Sequence, residues 1–406
     1  MGAIDGQISM FEGKQHLKIT KPIRLIELFA GIGAQAKALE NIGVEFEHYR
    51  ICEFDKYAVA SYNAVHGTEF ITSDITKIHA TDLGIVDTGK YCYIMTYSFP
   101  CTDLSNAGKR AGMKKGSGTR SGLLWEVERI LNEMKELPKV LLMENVPAIL
   151  QEKNRNDFYD WCNFLESLGY TNRYAKLNAK DYGIPQNRER VFMVSFLGDY
   201  YYRFPKGKGL DIRLKDILEE KIDKKYYLSE KLVHSFVRNE EKQQNKGNSF
   251  KFSIVNKNGE AKAITTKEGW RMTDNFIKCE CVGKISAGFE MNSRVYSLDG
   301  LSPTILTMQG GGLEPKILDE QNGYIRKDGI VGTLTTDGSS PKHNNRDIDS
   351  DFRIRRLTPK KCWRLMGFSD EDFEKARKVN SDTQLYKQAG NSIVVPVLEA
   401  IFRQML

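Results

Sequence analysis

Cys101 closes the run Ser98-Phe99-Pro100-Cys101, directly after an apolar stretch at 91–97. A residue just past a strand end sits at the rim where loops build sites, so this thiol is a candidate nucleophile. The stretch that follows, 106–120, is rich in glycine and carries Lys109, Arg110, Lys114, Lys115 and Arg120 without one acid. That composition suits a lid that closes over phosphates, although a solvated basic loop and an inert buried cysteine also account for the two features taken singly. The next apolar run, 140–145, delivers Glu144-Asn145-Val146 to the same edge. A carboxylate beside a thiol raises the thiol's pKa, so Glu144 is better suited to the substrate, as a proton donor or hydrogen-bond partner to a ring nitrogen. Gln186-Asn187-Arg188-Glu189-Arg190 then sets two arginines before a further strand, able to hold a phosphate or a base carbonyl.

A second group of residues reads as a nucleotide pocket. The first strand runs into Phe29-Ala30-Gly31-Ile32-Gly33 and then a helix; glycines at such a turn let a ligand lie against the backbone. The second strand ends at Glu53, placed to accept ribose hydroxyls, and Asp74-Ile75 adds another acid with an apolar cover for an adenine. An adenosyl cofactor is expected. A dinucleotide is the competing reading, and the missing third glycine of GxGxxG counts against it.

Short apolar runs alternating with helical patterns must position these residues. Strands are expected at 23–29, 46–53, 91–97, 140–145, 174–178 and 191–196, with helices at 34–42, 57–65, 123–134 and 156–168. The pattern predicts an α/β fold, a doubly wound Rossmann-like domain over 22–197 after an N-terminal extension, 1–21. Periodicity weakens after Phe196, and a smaller, mostly β or irregular domain is expected over 198–352. Within it a turn followed by a β-branched segment recurs at Asn258, Asp299 and Asp328, predicting three turn-plus-strand units. Residues 353–406 are expected to complete the first domain, with a helix at 360–366 after Thr358-Pro359 and an amphipathic helix at 392–406.

Composition narrows the class further. With 40% hydrophobic residues the chain can bury sizeable cores, and it holds no apolar run of membrane-spanning length and no signal-peptide pattern at its start. A soluble, intracellular protein is expected. Seven scattered cysteines do not form a disulfide framework, and Cys279-x-Cys281 lacks the spacing and second half of a metal knuckle, so no metal site is expected. The net charge of +7 favours a polyanionic partner only mildly.

The ordered set FAGIG, SFPCTDLS, MENV, QNRER and Gln388-Ala389-Gly390-Asn391-Ser392-Ile393 resembles the cytosine-5 DNA methyltransferases over about 23–197 and 353–404. The resemblance implies S-adenosylmethionine as cofactor and a target cytosine flipped out of double-stranded DNA. It points to Cys101 as the nucleophile, Glu144 as the base contact and Arg190, with Arg188 beside it, at the catalytic centre. Phe29, Gly31, Gly33, Glu53, Asp74, Ile75, Pro100, Leu124, Asn391 and Ser392 would line the cofactor pocket. DNA contacts are expected from Ser105, Lys109, Arg110, Lys114, Lys115 and Arg120 in the loop. Residues 198–352 would form the target-recognition domain, with Arg294 and Lys316 flanking its central repeat and Thr304 or Thr333 near the flipped nucleotide. Two departures stand out: Thr102 replaces the family's usual glutamine, and Ser98 stands where glycine or proline is commoner. The implied enzyme acts as a monomer, alongside a separately acting restriction endonuclease where one exists. A branch of the family methylates transfer RNA, and the long second domain favours DNA.

Overall fold

The computed structural model describes residues 17–101, 103–104, 112–219, 222–228 and 352–406, and between them the strand segments 254–255, 274–280, 283–284, 294–296, 316–319 and 324–326, the stretch 258–266 and a few single positions. The chain forms two compact units, Met1–Arg213 with Lys262–Lys267 and Cys362–Leu406, and Leu214–Ala261 with Glu268–Lys361. The first unit ends after Arg213 and not at 197 because the intervening chain packs on it. Tyr202 is buried and donates its hydroxyl to the Ile401 carbonyl at 3.2 Å, and Tyr182 donates to the Pro205 carbonyl at 2.8 Å.

The first unit is built on β1 (Ile23–Leu28), β2 (Phe46–Cys52), β3 (Cys92–Tyr97), β4 (Val140–Asn145), β5 (Tyr170–Asn178), the short β6 (Gln186–Asn187) and β7 (Glu189–Leu197). Six of these strands form one sheet in the order β2-β1-β3-β4-β7-β5. β1 and β3 are inner strands whose residues are buried almost throughout, which is why they read as unbroken apolar runs. Helices α1 (Ala34–Asn41), α2 (Lys56–His66), α3 (Ala80–Leu83), α4 (Leu124–Glu133) and α5 (Glu152–Ser167) connect the strands. The sheet is parallel except for β7, which runs antiparallel to both β4 and β5. The short link between β5 and β7 contains only one 3-10 turn, too little chain for the helical crossover that a parallel pair needs.

Register decides what meets at the carboxyl edge. Leu28 pairs with Cys52 on one side and Tyr97 on the other, and Tyr97 pairs with Met143. Phe29, Glu53, Ser98 and Glu144 therefore emerge along one edge, at the switch in strand order where open α/β sheets bind ligands. Because β7 is reversed, its first residues arrive at that same edge, with Val191 opposite Asn145.

Four C-terminal helices follow: α6 (Pro359–Arg364), α7 (Asp370–Arg377), α8 (Asp382–Asn391) and α9 (Val395–Phe402). Thr358 accepts the Lys361 amide at 3.3 Å, as the cap and first-turn proline predicted. α7 and α8 were not anticipated, although Ser369 and Asp372 make a reciprocal capping box at the start of α7. The expected helix 392–406 is shorter, and it is a buried core helix more than an amphipathic one, with Val395, Val397, Leu398, Ile401 and Phe402 all enclosed.

In the second unit the described strands are β8 (Ile254–Val255), β9 (Ala261–Lys262), β10 (Phe276–Glu280), β11 (Gly283–Lys284), β12 (Arg294–Tyr296), β13 (Lys316–Asp319), β14 (Tyr324–Arg326) and β15 (Phe352–Arg356). All but β9 fall into a three-stranded sheet, β15-β10-β8, and a four-stranded one, β11-β12-β13-β14; β9 pairs with β6, and its Lys262 belongs to the first unit. The first recurring unit appears as the turn at Asn258-Gly259 leading into β9; the repeats at Asp299 and Asp328 lie outside the described residues.

Candidate active site

Cys101 and Glu144 sit on the ends of neighbouring strands, with Arg190 closing the group from β7. The Arg190 Nε lies 3.1 Å from Glu144 Oε1, and both side chains are mostly enclosed. Burial raises the Glu144 carboxyl above its ordinary range, against the opposing charges of Arg190 and Arg188. Cys101 is half-buried, and its thiol is likewise pushed up, first by burial and then by the charge of Glu144. The resting pair is thus a protonated thiol beside a carboxyl group that holds its proton more tightly than usual.

Local hydrogen bonds hold the nucleophile's loop. Asn145 Nδ2 donates to the Phe99 carbonyl at 3.0 Å, and Ser121 Oγ donates to the Pro100 carbonyl at 2.7 Å. Asp103 Oδ2 accepts the amides of Arg120 and Ser121 at 2.8 and 3.3 Å, which ties the two ends of the basic loop together. Lys114 and Arg120 are exposed. Lys115 is engaged within the protein, 2.7 Å from Glu128 and over the Trp125 ring. Thr102, Ser105, Lys109 and Arg110 lie outside the described residues, as do Thr304 and Thr333, and of Arg294 and Lys316 only the strand course is described.

Arg188 has a different environment from Arg190. It is 4% exposed, and its terminal nitrogens donate to the carbonyls of Ile264 (3.1 Å), Gly390 (3.1 Å) and Ser392 (2.8 Å). Burial, with Arg190 nearby, pulls its guanidinium down to about 9. Gln186 works alongside it, donating to the Leu365 carbonyl at 2.7 Å and accepting the Ile264 amide at 3.0 Å. A Cβ on Gly390 would stand 2.4 Å from the Thr266 nitrogen, so only glycine lets these segments meet this closely. The first recurring unit thereby contributes its end, 262–267, to the same unit as the catalytic residues. Nothing in its composition distinguished it from the other two.

On the neighbouring strands the cofactor candidates converge. Phe29, Gly31 and Gly33 all adopt positive φ, and a Cβ on Gly31 would meet nothing within 4 Å, leaving open space over the turn. Glu53 accepts the Gly31 amide at 2.9 Å and the Asp55 amide at 2.8 Å, while burial raises its carboxyl above the ordinary range. Asp74 accepts the Thr76 amide and hydroxyl, which lower its pKa, and Ile75 beside it is buried. Leu124 is wholly enclosed in the apolar core and offers no free surface here. Asn391 is exposed, whereas Ser392 is buried and turns its carbonyl to Arg188. Phe54 was missed: this aromatic ring is 79% exposed directly after Glu53, and the adjacency was readable in the sequence.

The family model for C-5 cytosine-specific DNA methylases matches residues 23–406. The chain belongs to this family, and it is a DNA cytosine-5 methyltransferase. It is 31% identical to the orphan methyltransferase M.SPRI of Bacillus phage SPR, over 95% of this chain and 97% of that protein. It is likewise 31% identical to the orphan methyltransferase M.SssI of Spiroplasma monobiae, over 94% and 97%. Among solved structures, the Entamoeba histolytica methyltransferase EhMeth aligns with a TM-score of 0.64 at 17% identity, over 95% of this chain and 98% of that one. The S. pombe Dnmt2 methyltransferase aligns with a TM-score of 0.58 at 18% identity, over 94% and 98%. Both share the fold. Among the described residues no helix is long and apolar enough to cross a membrane.

Proposed function

We propose that the enzyme flips its target cytosine out of duplex DNA and activates it by adding the Cys101 sulfur to carbon 6 of the ring. The observation that carries this reading is the placement of Cys101 and the Arg190–Glu144 pair on adjacent strand ends. Carbon 5 of cytosine is a weak nucleophile, and addition of a thiolate at carbon 6 makes it enamine-like. Glu144, with its raised pKa, supplies a proton or a hydrogen bond at ring nitrogen 3 as electron density arrives there. Arg190 aligns the Glu144 carboxyl. Arg188 acts through position, holding β7 against 264 and 390–392.

S-adenosylmethionine fits the donor set on β1 and β2: Glu53 for ribose hydroxyls, Phe54 and Ile75 for the adenine faces, and the open glycine turn for close backbone approach. Bound there it supplies an electrophilic methyl for carbon 5. Elimination of Cys101 after loss of the carbon 5 proton regenerates the thiol. Extruding a base costs a few kcal/mol, which cations of the 102–122 loop offset on the phosphates. Residues 198–352 carry target recognition, and Arg294 and Lys316 are proposed base contacts, each worth about 1–3 kcal/mol of site preference.

Fluorine at carbon 5 cannot leave as a cation, so duplex DNA carrying 5-fluorocytosine at the target site should trap the enzyme as a stable adduct, only with S-adenosylmethionine present. Cys101→Ser should form no adduct and lose turnover by more than about 10³-fold, with cofactor affinity unchanged. Trapping by the serine variant would refute the nucleophile, and trapping on transfer RNA alone would refute the substrate.

A further inference from the structure

Three elements of the first unit each turn one metal-ligating side chain into a common gap: Glu40 from α1, His48 from β2 and His66 from α2. One donor atom from each lies within 4.8 Å of the others. His66 Nδ1 stands 2.6 Å from Glu40 Oε1, and His48 Nε2 stands 3.6 Å from the same oxygen. We propose that Glu40, His48 and His66 form a binding site for a divalent transition-metal ion of the zinc class, packed against the glycine turn.

The outer contacts of the two imidazoles carry the argument. His66 Nε2 lies 3.2 Å from the Ile32 carbonyl, which can only accept, so Nε2 bears a hydrogen, and in the neutral ring the Nδ1 lone pair is directed at Glu40. His48 Nδ1 lies 3.1 Å from the Tyr62 hydroxyl, and that hydroxyl donates onward to the buried Glu27 at 2.5 Å. With Tyr62 donating to Glu27, His48 donates through Nδ1, the tautomer whose Nε2 lone pair faces the gap. With both rings neutral, two ring nitrogens and a carboxylate oxygen meet at one gap, a donor set that a metal ion completes. Backbone-carbonyl and chained hydroxyl–carboxylate partners of this kind are what orient metal-binding histidines.

The remaining contacts are compatible with an ion. Lys37 Nζ holds the other Glu40 oxygen at 3.3 Å and bridges to Asp372 at 2.9 Å, which leaves Oε1 as a single-oxygen ligand. Two imidazoles and one carboxylate favour zinc, cobalt or nickel over magnesium or calcium, and three protein ligands leave a position for water. The Glu40 and His48 side chains are 30% and 20% exposed, giving a path from solvent, while that of His66 is enclosed. A Cβ on Gly33 would stand 2.3 Å from His66 Nε2, so the histidine ring lies directly against the turn that the cofactor is proposed to occupy. An ion here would tie α1, β2 and α2 together beneath that turn.

The test uses the full chain, stripped with a chelator and titrated with zinc and with cobalt. One saturable site is expected, with a rise in Tm on zinc addition that magnesium and calcium do not reproduce. Bound cobalt should show ligand-field bands without the charge-transfer band that a cysteine thiolate would add. His48→Gln and Glu40→Gln should each weaken binding at least tenfold while keeping the wild-type circular dichroism spectrum, and Tyr62→Phe should weaken it by roughly 10–100-fold. Absence of saturable binding, a thiolate band, or wild-type affinity in both His48→Gln and Glu40→Gln would overturn the proposal; a proton, as a His66 imidazolium paired with Glu40, would then fill the gap.

Discussion

The two halves of the catalytic edge are held in different ways. On β1 and β2 the polar groups are held over short spans of chain: Glu53 takes amides from Asp55 and, 22 residues back on the adjacent strand's turn, from Gly31, and beyond β2 Asp74 takes both groups of Thr76. Around β4 and β7 the fixing is remote. Arg188 reaches carbonyls 76, 202 and 204 residues away, and Gln186 spans 179 residues to Leu365. The methyl-donor side is thus a local structure that forms with its own strand turns. The base-attacking side takes its fixing contacts from the C-terminal helices and the segment at 262–267. The α2 helix joins the two halves, since Gln388 and Asn380 both donate to its Tyr57 carbonyl.

If that contrast is right, Glu144→Gln should have the largest effect while leaving the local half intact. Loss of an ionisable hydrogen-bonding partner at the ring is expected to reduce kcat by about 10²–10⁴-fold. Equilibrium binding of S-adenosylmethionine should stay near wild type, and a parallel loss of cofactor affinity would show that the two halves are not separable.

Arg188→Met should follow, and its primary readout is stability. It strips three buried carbonyls of their donor, each costing about 1–3 kcal/mol, so a loss of at least about 3 kcal/mol is expected in denaturant melts, together with loss of DNA methylation. A variant with unaltered stability and no activity would make Arg188 a direct participant instead of a positioning residue.

The smallest effect concerns pH and the local half. Burial raises the Glu27 carboxyl to about 7 from its ordinary 4.5, against the lowering effect of its bond from Tyr62. Between those values the unfolded chain has released this proton and the folded chain retains it, so the stabilising contribution, full below 4.5, is lost as pH rises through 7. Glu27→Gln should flatten the stability profile over that window by about 3 kcal/mol relative to wild type. Parallel profiles for the two proteins would place the Glu27 pKa elsewhere.

Strand positions were legible because inner strands of a parallel sheet must be apolar on both faces, as the 91–97 and 140–145 runs are. Boundaries were less so: α5 begins at Glu152 and β5 at Tyr170, each four residues ahead of the expectation; the first turn of α5 is polar and largely solvent-facing, and Thr171, Asn172 and Arg173 of β5 are polar and half-buried. α7 and α8 escaped notice for the same reason, with few apolar residues in each and an unheeded Ser369/Asp372 cap.

By itself the sequence determined the α/β class, the strand ends that carry Cys101, Glu144 and Glu53, and the family to which the chain belongs, since these depend on local hydrophobic pattern and on motifs a few residues long. Only the tertiary structure decided that Arg188 is a clamp and Arg190 the partner of Glu144, though they stand two residues apart. It also decided that 262–267 joins the catalytic unit, and that Glu40, His48 and His66 share one gap. Each of these rests on where a carbonyl or a carboxylate from another element happens to lie, and the energy of a buried polar group is set by that partner, whatever its distance along the chain.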